Sequence, residues 1–557
     1  MLSKISMIMR SGLFLLLFCP LLSFGQVVPV HHTNNTIYDF LSEMASLKVV
    51  QYNDIVRPLS RVQIHDMLVT VRSNEDKLCK RQRDELSFFW KDYIKEDNQY
   101  NGLDFLGKGL KRGDVFPLRK REKRLDLFFY KDSLFNLTIN PIWGGEGFIT
   151  GSNPYYHSWV GASLFGNITK HFSFYATIVD NTESQRLISS DVLYPNMGAV
   201  YKGTLKDYSE MRGGMSASNK WGYVSIVKDH FVWGSGYNGS IIFSGRNPSI
   251  LQIKLGLTPV KWFSFDYIHG WLNSDLVDSA ATYQSGNGNR ELYISKFLAA
   301  NMFTVRPIKG LYFSFGNSVV YSDKFNPVYL IPFLFYKSVD HTLGATVNNA
   351  GYKGQNSQMF VNLVSRQIKY LELYSSVFID EIRITSITDS KKQRNHVSFK
   401  VGFRFTAPKN VNLSAIFEYT RNNPATYQHF VPSTTYASNG YNLGHYLGDN
   451  ADEYFGKLIY SPVSRLKISA TYLYARKGEL LLYDSIRAGQ GLKFMQNKRF
   501  VRQEIGLTTA YEIANDVKVK MTYRYLVETG VNAQLYLPDA WKSNPHTVSL
   551  SLQLGGF

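Results

Sequence analysis

His546-Thr547-Val548-Ser549-Leu550-Ser551-Leu552-Gln553-Leu554-Gly555-Gly556-Phe557 closes the chain, and its pattern decides the fold. Val548, Leu550, Leu552 and Leu554 fall on one face, and Ser549, Ser551 and Gln553 fall on the other. A period of two marks a β-strand whose two sides meet different surroundings. A soluble domain rarely ends on a bare apolar strand, because an unpaired edge invites aggregation. A bacterial outer-membrane barrel removes that edge by pairing its last strand with its first. The alternative is the final strand of a soluble sandwich.

The other end of the chain bears on the same question. Lys4 and Arg10 flank the start of the apolar run Leu13-Phe14-Leu15-Leu16-Leu17-Phe18, and Leu22-Ser23-Phe24-Gly25-Gln26 supplies small residues for cleavage. Residues 1–25 are therefore predicted to be a secretory signal peptide, too short and wrongly flanked for a spanning helix. Phe18 stands before Cys19 where a lipid anchor needs a small residue. Cleavage would leave Cys79 alone, so an exported chain of this kind has no internal disulfide. The terminal Phe557 is similar to the signal read by the outer-membrane insertion machinery.

Composition agrees with export to an envelope. No apolar run of about 18 residues follows the leader, so no transmembrane helix is expected. The 37 Tyr and 37 Phe fall largely in alternating stretches. A formal charge of +18 would suggest nucleic acid in a cytoplasmic protein. In an exported one the excess meets outer-membrane lipids, lipopolysaccharide phosphates or acidic polysaccharide, and solubility accounts for it equally well.

Residues 26–107 read as a small α-helical periplasmic domain. Ile37, Phe40, Leu41, Met44 and Leu47 form one i, i+3, i+4 stripe. Pro58-Leu59-Ser60 opens a second helix, and a third spans roughly residues 76–95. Residues 108–124, with Lys108, Lys111, Arg112 and Arg119 to Arg124, form a basic linker suited to anionic headgroups. Residues 125–557 then repeat the strand signature. Phe263, Phe265, Tyr267, His269 and Trp271 alternate with a second face, as do Leu466, Ile468, Ala470, Tyr472 and Tyr474. Val517, Val519, Met521, Tyr523 and Tyr525 alternate with Lys518, Lys520, Thr522 and Arg524. Charged residues opposite an apolar face suit a polar lumen behind a lipid-facing belt. At about 10 residues per strand plus turns, the segment gives on the order of 16 to 20 strands. The expected fold is mostly β: a large antiparallel transmembrane β-barrel of about 18 strands, in which the strand that pairs with His546–Leu554 begins near residues 125–139.

Phe231-Val232-Trp233-Gly234-Ser235-Gly236-Tyr237-Asn238-Gly239-Ser240, followed by Arg246-Asn247-Pro248, resembles the Trp-Gly-x-Gly-x-x-Gly-Ser motif of the Wzi capsule-assembly family. Val28-Pro29-Val30, Arg57-Pro58-Leu59-Ser60-Arg61 and Gly444-His445-Tyr446-Leu447-Gly448-Asp449 are similar to its Bacteroidetes branch. The resemblance implies an 18-stranded, monomeric, non-enzymatic barrel in the outer membrane. Its helices would lie at the periplasmic mouth, and it would bind or organise exported surface polysaccharide. In that setting Trp233 and Tyr237 can stack on sugar rings, Asn238 can bond hydroxyls, and Arg246 can pair with a uronate or pyruvate carboxylate. The same Gly-rich turn can instead serve as a plug packed in the lumen.

Other chemistry finds little support. Gly144-Gly145-Glu146-Gly147 lacks the lysine of a phosphate-binding loop. His31-His32 reads as a solvated start without further ligands at metal spacing, so neither metal nor cofactor is expected. Asp380 and Glu381 are neighbours on a strand and point to opposite faces. Asp449, Asp452 and Glu453 could hold Ca²⁺ but suit an ordinary acidic loop better. The competing reading is a structural component of a surface-motility or protein-secretion machine, with a periplasmic protein partner docked on the helices.

Overall fold

A computed structural model describes residues 27–105, 124, 126–286, 288–344, 355–382, 395–408, 411–480, 493–531 and 533–556. The predicted signal peptide, nearly all of the basic linker and Phe557 lie outside the described residues.

Eighteen antiparallel strands close on themselves. In chain order the first six are β1 (Phe135–Thr150), β2 (Asn153–Ile168), β3 (Phe172–Glu183), β4 (Asp207–Asn219), β5 (Gly222–Asp229) and β6 (Ile250–Val260). The next six are β7 (Phe263–Leu272), β8 (Lys296–Val305), β9 (Leu311–Ser322), β10 (Gln355–Ser365), β11 (Leu371–Glu381) and β12 (His396–Thr406). The last six are β13 (Leu413–Asn422), β14 (Ala451–Tyr460), β15 (Leu466–Lys477), β16 (Phe500–Ala514), β17 (Val517–Thr529) and β18 (His546–Leu554). Each strand bonds its neighbours in sequence, and β18 returns to β1.

The closing register runs from Thr547 opposite Thr150 to Leu554 opposite Trp143. The receiving strand begins inside the expected window, at Phe135, but the residues that bond β18 lie beyond it. The first half of that edge is occupied by a short strand, Phe128–Lys131, paired with Asn136–Ile139. Gly102–Phe105, which patterning places with the helices, is a strand paired with Phe128–Lys131 and extends the sheet.

Side chains obey the alternation of the pleat. In β18 Val548, Leu550, Leu552 and Leu554 are exposed on the outside, while Thr547, Ser549 and Ser551 are buried inside. Ile505, Leu507 and Met521 continue the exposed apolar band. One sector departs from it. Phe265, Tyr267 and His269 point outward yet are buried, because residues 323–344 fold down over the outer wall. Tyr329 and Tyr336 pack on Phe265, Phe297, Val319 and Tyr321. Asn301 Nδ2 donates to the carbonyls of Pro332 and Leu334, each at 2.8 Å, and the Tyr336 amide donates to Asn317 Oδ1 at 2.8 Å. Two outward asparagines that hydrocarbon could not satisfy thus find partners in this strap.

Eight short turns ring one mouth, and the two-residue β1–β2 turn with longer loops rings the other. Three helices cover the short-turn mouth: α1 (Asn35–Ser46), α2 (Arg61–Arg72) and α3 (Lys80–Tyr93). Ser60 starts α2 through a capping box with Gln63. The predicted third helix is trimmed, because Leu78 and Cys79 are extended and Gln82 caps the Cys79 amide at 2.9 Å. Ile37, Phe40, Met44, Ile64, Leu68 and Phe89 form the core of this unit. It is bonded to the barrel turns: the Tyr370 amide donates to Ser46 O at 2.8 Å, Arg366 Nη1 to Tyr52 O at 2.6 Å, and Arg81 Nε to Asn412 at 3.0 Å.

A buried charge cluster completes that junction. Asp92 accepts from Arg61 at 3.0 Å and Arg124 at 3.1 Å, with Lys95 at 3.4 Å, and Arg124 also pairs with Asp516 in the β16–β17 turn. Burial alone would raise the Asp92 carboxyl, but Arg61, Arg124 and Lys95 hold it well below its ordinary range. A depressed carboxylate contributes stability above its unfolded pKa of about 3.9, and the contribution is lost as pH falls through the folded value. Protease resistance of the helical unit in folded barrels should therefore persist at pH 5 and fail only in stronger acid. Asp92→Asn, which strands buried cations, should lose about 3–5 kcal/mol of junction stability at neutral pH and become cleavable there.

Candidate functional site

Two loops re-enter the lumen. Residues 230–249, between β5 and β6, carry the Trp-Gly motif; residues 423–450 join β13 to β14. The first is rooted on the helical unit, because Val232–Trp233 pairs antiparallel with Val56–Arg57 and the Gly234 amide donates to Ile55 O at 2.8 Å. Trp233 is 1% exposed and meets Phe243 and Phe360 edge to face, within a core that includes Ile241, Ile242 and Phe378. Gly236 lies at φ 141, where a Cβ would sit 2.7 Å from Gly239 O and 3.1 Å from Lys400 Nζ. Only glycine lets the loop come this close to the wall.

The tip of the loop is fixed by one carboxylate. Glu418 on β13 accepts the backbone amides of Tyr237 at 2.6 Å and Asn238 at 3.0 Å. It also accepts Lys400 Nζ at 3.0 Å and the Tyr374 hydroxyl at 2.8 Å. Asn238 Nδ2 donates to Glu453 at 2.9 Å, and Tyr446 donates to the other oxygen of Glu453. The two loops lock together: Tyr427 and Tyr436 donate to the carbonyls of Ile241 and Ile242, and the Ser244 amide donates to Leu443 O.

The structure divides the four residues singled out from the sequence. Trp233 and Asn238 are buried inside the plug. Tyr237 and Arg246 line a cavity of about 550 Å³ between the plug and the wall. Tyr237 Oη accepts from Arg404 at 3.3 Å. The Arg246 guanidinium donates to Val192 O and lies 5.2 Å from the Tyr441 ring centre. It has no ion-pair partner among the described residues, and burial pushes it down to about 10, so it stays cationic at neutral pH. Arg57, Lys518 and Lys520 also line the cavity, against Glu210 as the single carboxylate among its described lining residues. Tyr208 and His157 add rings. None of these six was singled out as a site residue from the sequence, since they come from separate strands and loops that only closure brings together.

The paired carboxylates are placed apart. Asp380 is buried and accepts the Tyr427 amide at 2.9 Å, while Glu381 is partly exposed. Asp449 faces Lys477 at 3.4 Å and Asp452 accepts from Arg476 at 2.8 Å, so each acid has its own cation. The start at His31-His32 is not solvated. His31 is buried and its Nε2 lies 3.1 Å from His230 Nδ1, 199 residues away. Burial holds His31, His32 and His230 well below the ordinary imidazole range. Asp229-His230 stands immediately before the Trp-Gly motif, and that adjacency was the legible signal.

Glu418→Ala would leave Lys400 and two plug amides without an acceptor, destabilising the docked plug by about 3–5 kcal/mol. Purified protein in planar bilayers should then conduct in open bursts that the unaltered barrel lacks. Equal conductance would show that Glu418 does not hold the plug.

Residues 224–535, more than half of the chain, match the family described as Capsule assembly protein Wzi. Among solved structures, an Escherichia coli outer-membrane protein described as a carbohydrate-binding β-barrel involved in group 1 capsule assembly is similar in fold. Its TM-score is 0.56 at 13% identity, over 96% of this chain and 99% of that one. The Pseudomonas aeruginosa proteins OccK8 and OpdK match with TM-scores of 0.42 at 11% and 8% identity, over 76% and 75% of this chain and 98% of each of theirs. No curated protein matches the sequence. The family match, together with the closed 18-strand barrel, places this chain in the Wzi capsule-assembly family.

Proposed function

We propose that this barrel binds an acidic exported polysaccharide and holds it at the cell surface, without catalysing a reaction on it. The observation that carries the reading is Arg246, a buried guanidinium without a carboxylate partner among the described residues, in a cavity whose charged lining is mostly cationic. A desolvated cation of this kind favours an anion that can accept two parallel N–H bonds, as a uronate or pyruvate carboxylate does. Tyr237 and Tyr208 supply ring faces at the same cavity. The solved relative, described as a carbohydrate-binding barrel, points the same way.

In this reading the short-turn mouth faces the periplasm, as short turns do in outer-membrane barrels, and the helices sit beneath it. The long loops face outward. A motility or secretion role would have to use the exposed, largely polar face of α2 and α3, since the apolar side of the helices is covered by their own core.

Deleting the gene should release surface polysaccharide from cells into the medium, and Arg246→Ala should reproduce most of that loss in folded, membrane-inserted protein. In detergent, a hexuronic-acid oligosaccharide should bind at least tenfold more weakly to Arg246→Ala, and an uncharged glucan of equal length should bind neither form. Unchanged retention after deletion would overturn the reading.

A further inference from the structure

The root of the plug holds a second constellation that the polysaccharide reading does not use. Three buried residues, His31, Asp229 and His230, place one donor atom each within 4.8 Å of the others. His31 Nε2 lies 3.1 Å from His230 Nδ1, and His230 Nδ1 lies 3.8 Å from Asp229 Oδ1. Around an ion with bonds of about 2.0–2.1 Å, the donors of a tetrahedron stand roughly 3.3–3.5 Å apart. The observed spacings bracket that value.

The surrounding groups orient the donors as a metal site requires. His31 presents Nε2 because its Nδ1 faces Thr33 Oγ1 at 2.7 Å. The far nitrogen of His230, Nε2, is buried without a hydrogen bond and points toward Glu210 Oε1 at 3.9 Å, which likewise accepts no hydrogen bond and pairs only loosely with Lys228 at 4.0 Å. Asp229 is held by the Tyr175 hydroxyl on Oδ2 at 2.6 Å and by the His230 amide on Oδ1 at 2.8 Å. Arg212 Nη1 stands 3.5 Å from Asp229 Oδ1, so the carboxylate is shared with a cation and binding is weaker than in a closed structural site.

We infer that His31, His230 and Asp229 form a binding site for a single divalent transition-metal ion, Zn²⁺ by donor type, that ties the segment ahead of α1 to the root of the plug. Two imidazoles and one carboxylate with an open fourth position suit Zn²⁺ and exclude Ca²⁺ or Mg²⁺, which need oxygen donors. Its role is to join residues 31 and 230, the beginnings of the helical unit and of the Trp-Gly loop.

The test uses full-length barrel without a histidine tag, folded in detergent and stripped with EDTA. Added Co²⁺ should bind one equivalent per chain and give the visible absorption of a tetrahedral nitrogen–oxygen site, which Zn²⁺ bleaches. His31→Ala and His230→Ala should each weaken Co²⁺ binding at least tenfold, and His546→Ala, at the exposed start of β18, should leave it unchanged. His31 lies outside the barrel wall, so its variant decides the matter if His230→Ala fails to fold. Less than half an equivalent bound at 1 mM Co²⁺, or binding unaltered by His31→Ala, would overturn the site.

Discussion

Every backbone amide that faces hydrocarbon must be paired within the protein, and the architecture follows from that requirement. A sheet can meet it only by closing, so β18 pairs with β1. Closure turns the apolar face outward and collects the polar faces of eighteen strands in one interior. That interior is too wide to be filled by wall side chains alone. Two loops therefore enter it, and they bring a small apolar core of their own around Trp233 and Phe243.

The plug is held by a few buried polar nodes. Glu418 gathers two loop amides, a lysine and a tyrosine, and Glu453 gathers Asn238 and Tyr446. Such groups are stable in low dielectric only when each partner is present, which makes the docking all or none. Arg246 stands apart from this network because no acid among the described residues answers it. The functional reading rests on that contrast between satisfied and unsatisfied buried charge.

The wall was legible in the sequence because a strand has a period of two and each side meets a different medium. Lys518 and Lys520 against Val519 and Met521 already report lumen and lipid. The sector from β7 to β9 was misleading for a physical reason. Phe265, Tyr267 and Trp271 have the right alternation for lipid, yet much of this outer face is covered by residues 323–344, whose fold depends on Asn301 and Asn317 beneath it. The motif around Trp233 located the plug but not which side chains would face open space. Trp233 turns inward because Phe243 and Phe360 flank it. His31 could not be matched with His230 from spacing, since only the fold spans 199 residues between them.

The pairing of Val56–Arg57 with Val232–Trp233 has a mechanical consequence. Backbone hydrogen bonds join the helical unit at one mouth to the loop in the middle of the lumen, so displacing one strains the other. A pull on α1 along the barrel axis first meets the bonds that tie Ser46, Tyr52 and Arg81 to the barrel turns, and beyond them runs through Ile55 and Gly234 to the tip at Tyr237 and Asn238, where Glu418 resists it. Force applied on one side of the membrane thus has a direct line to the cavity wall, with no need for the barrel itself to bend.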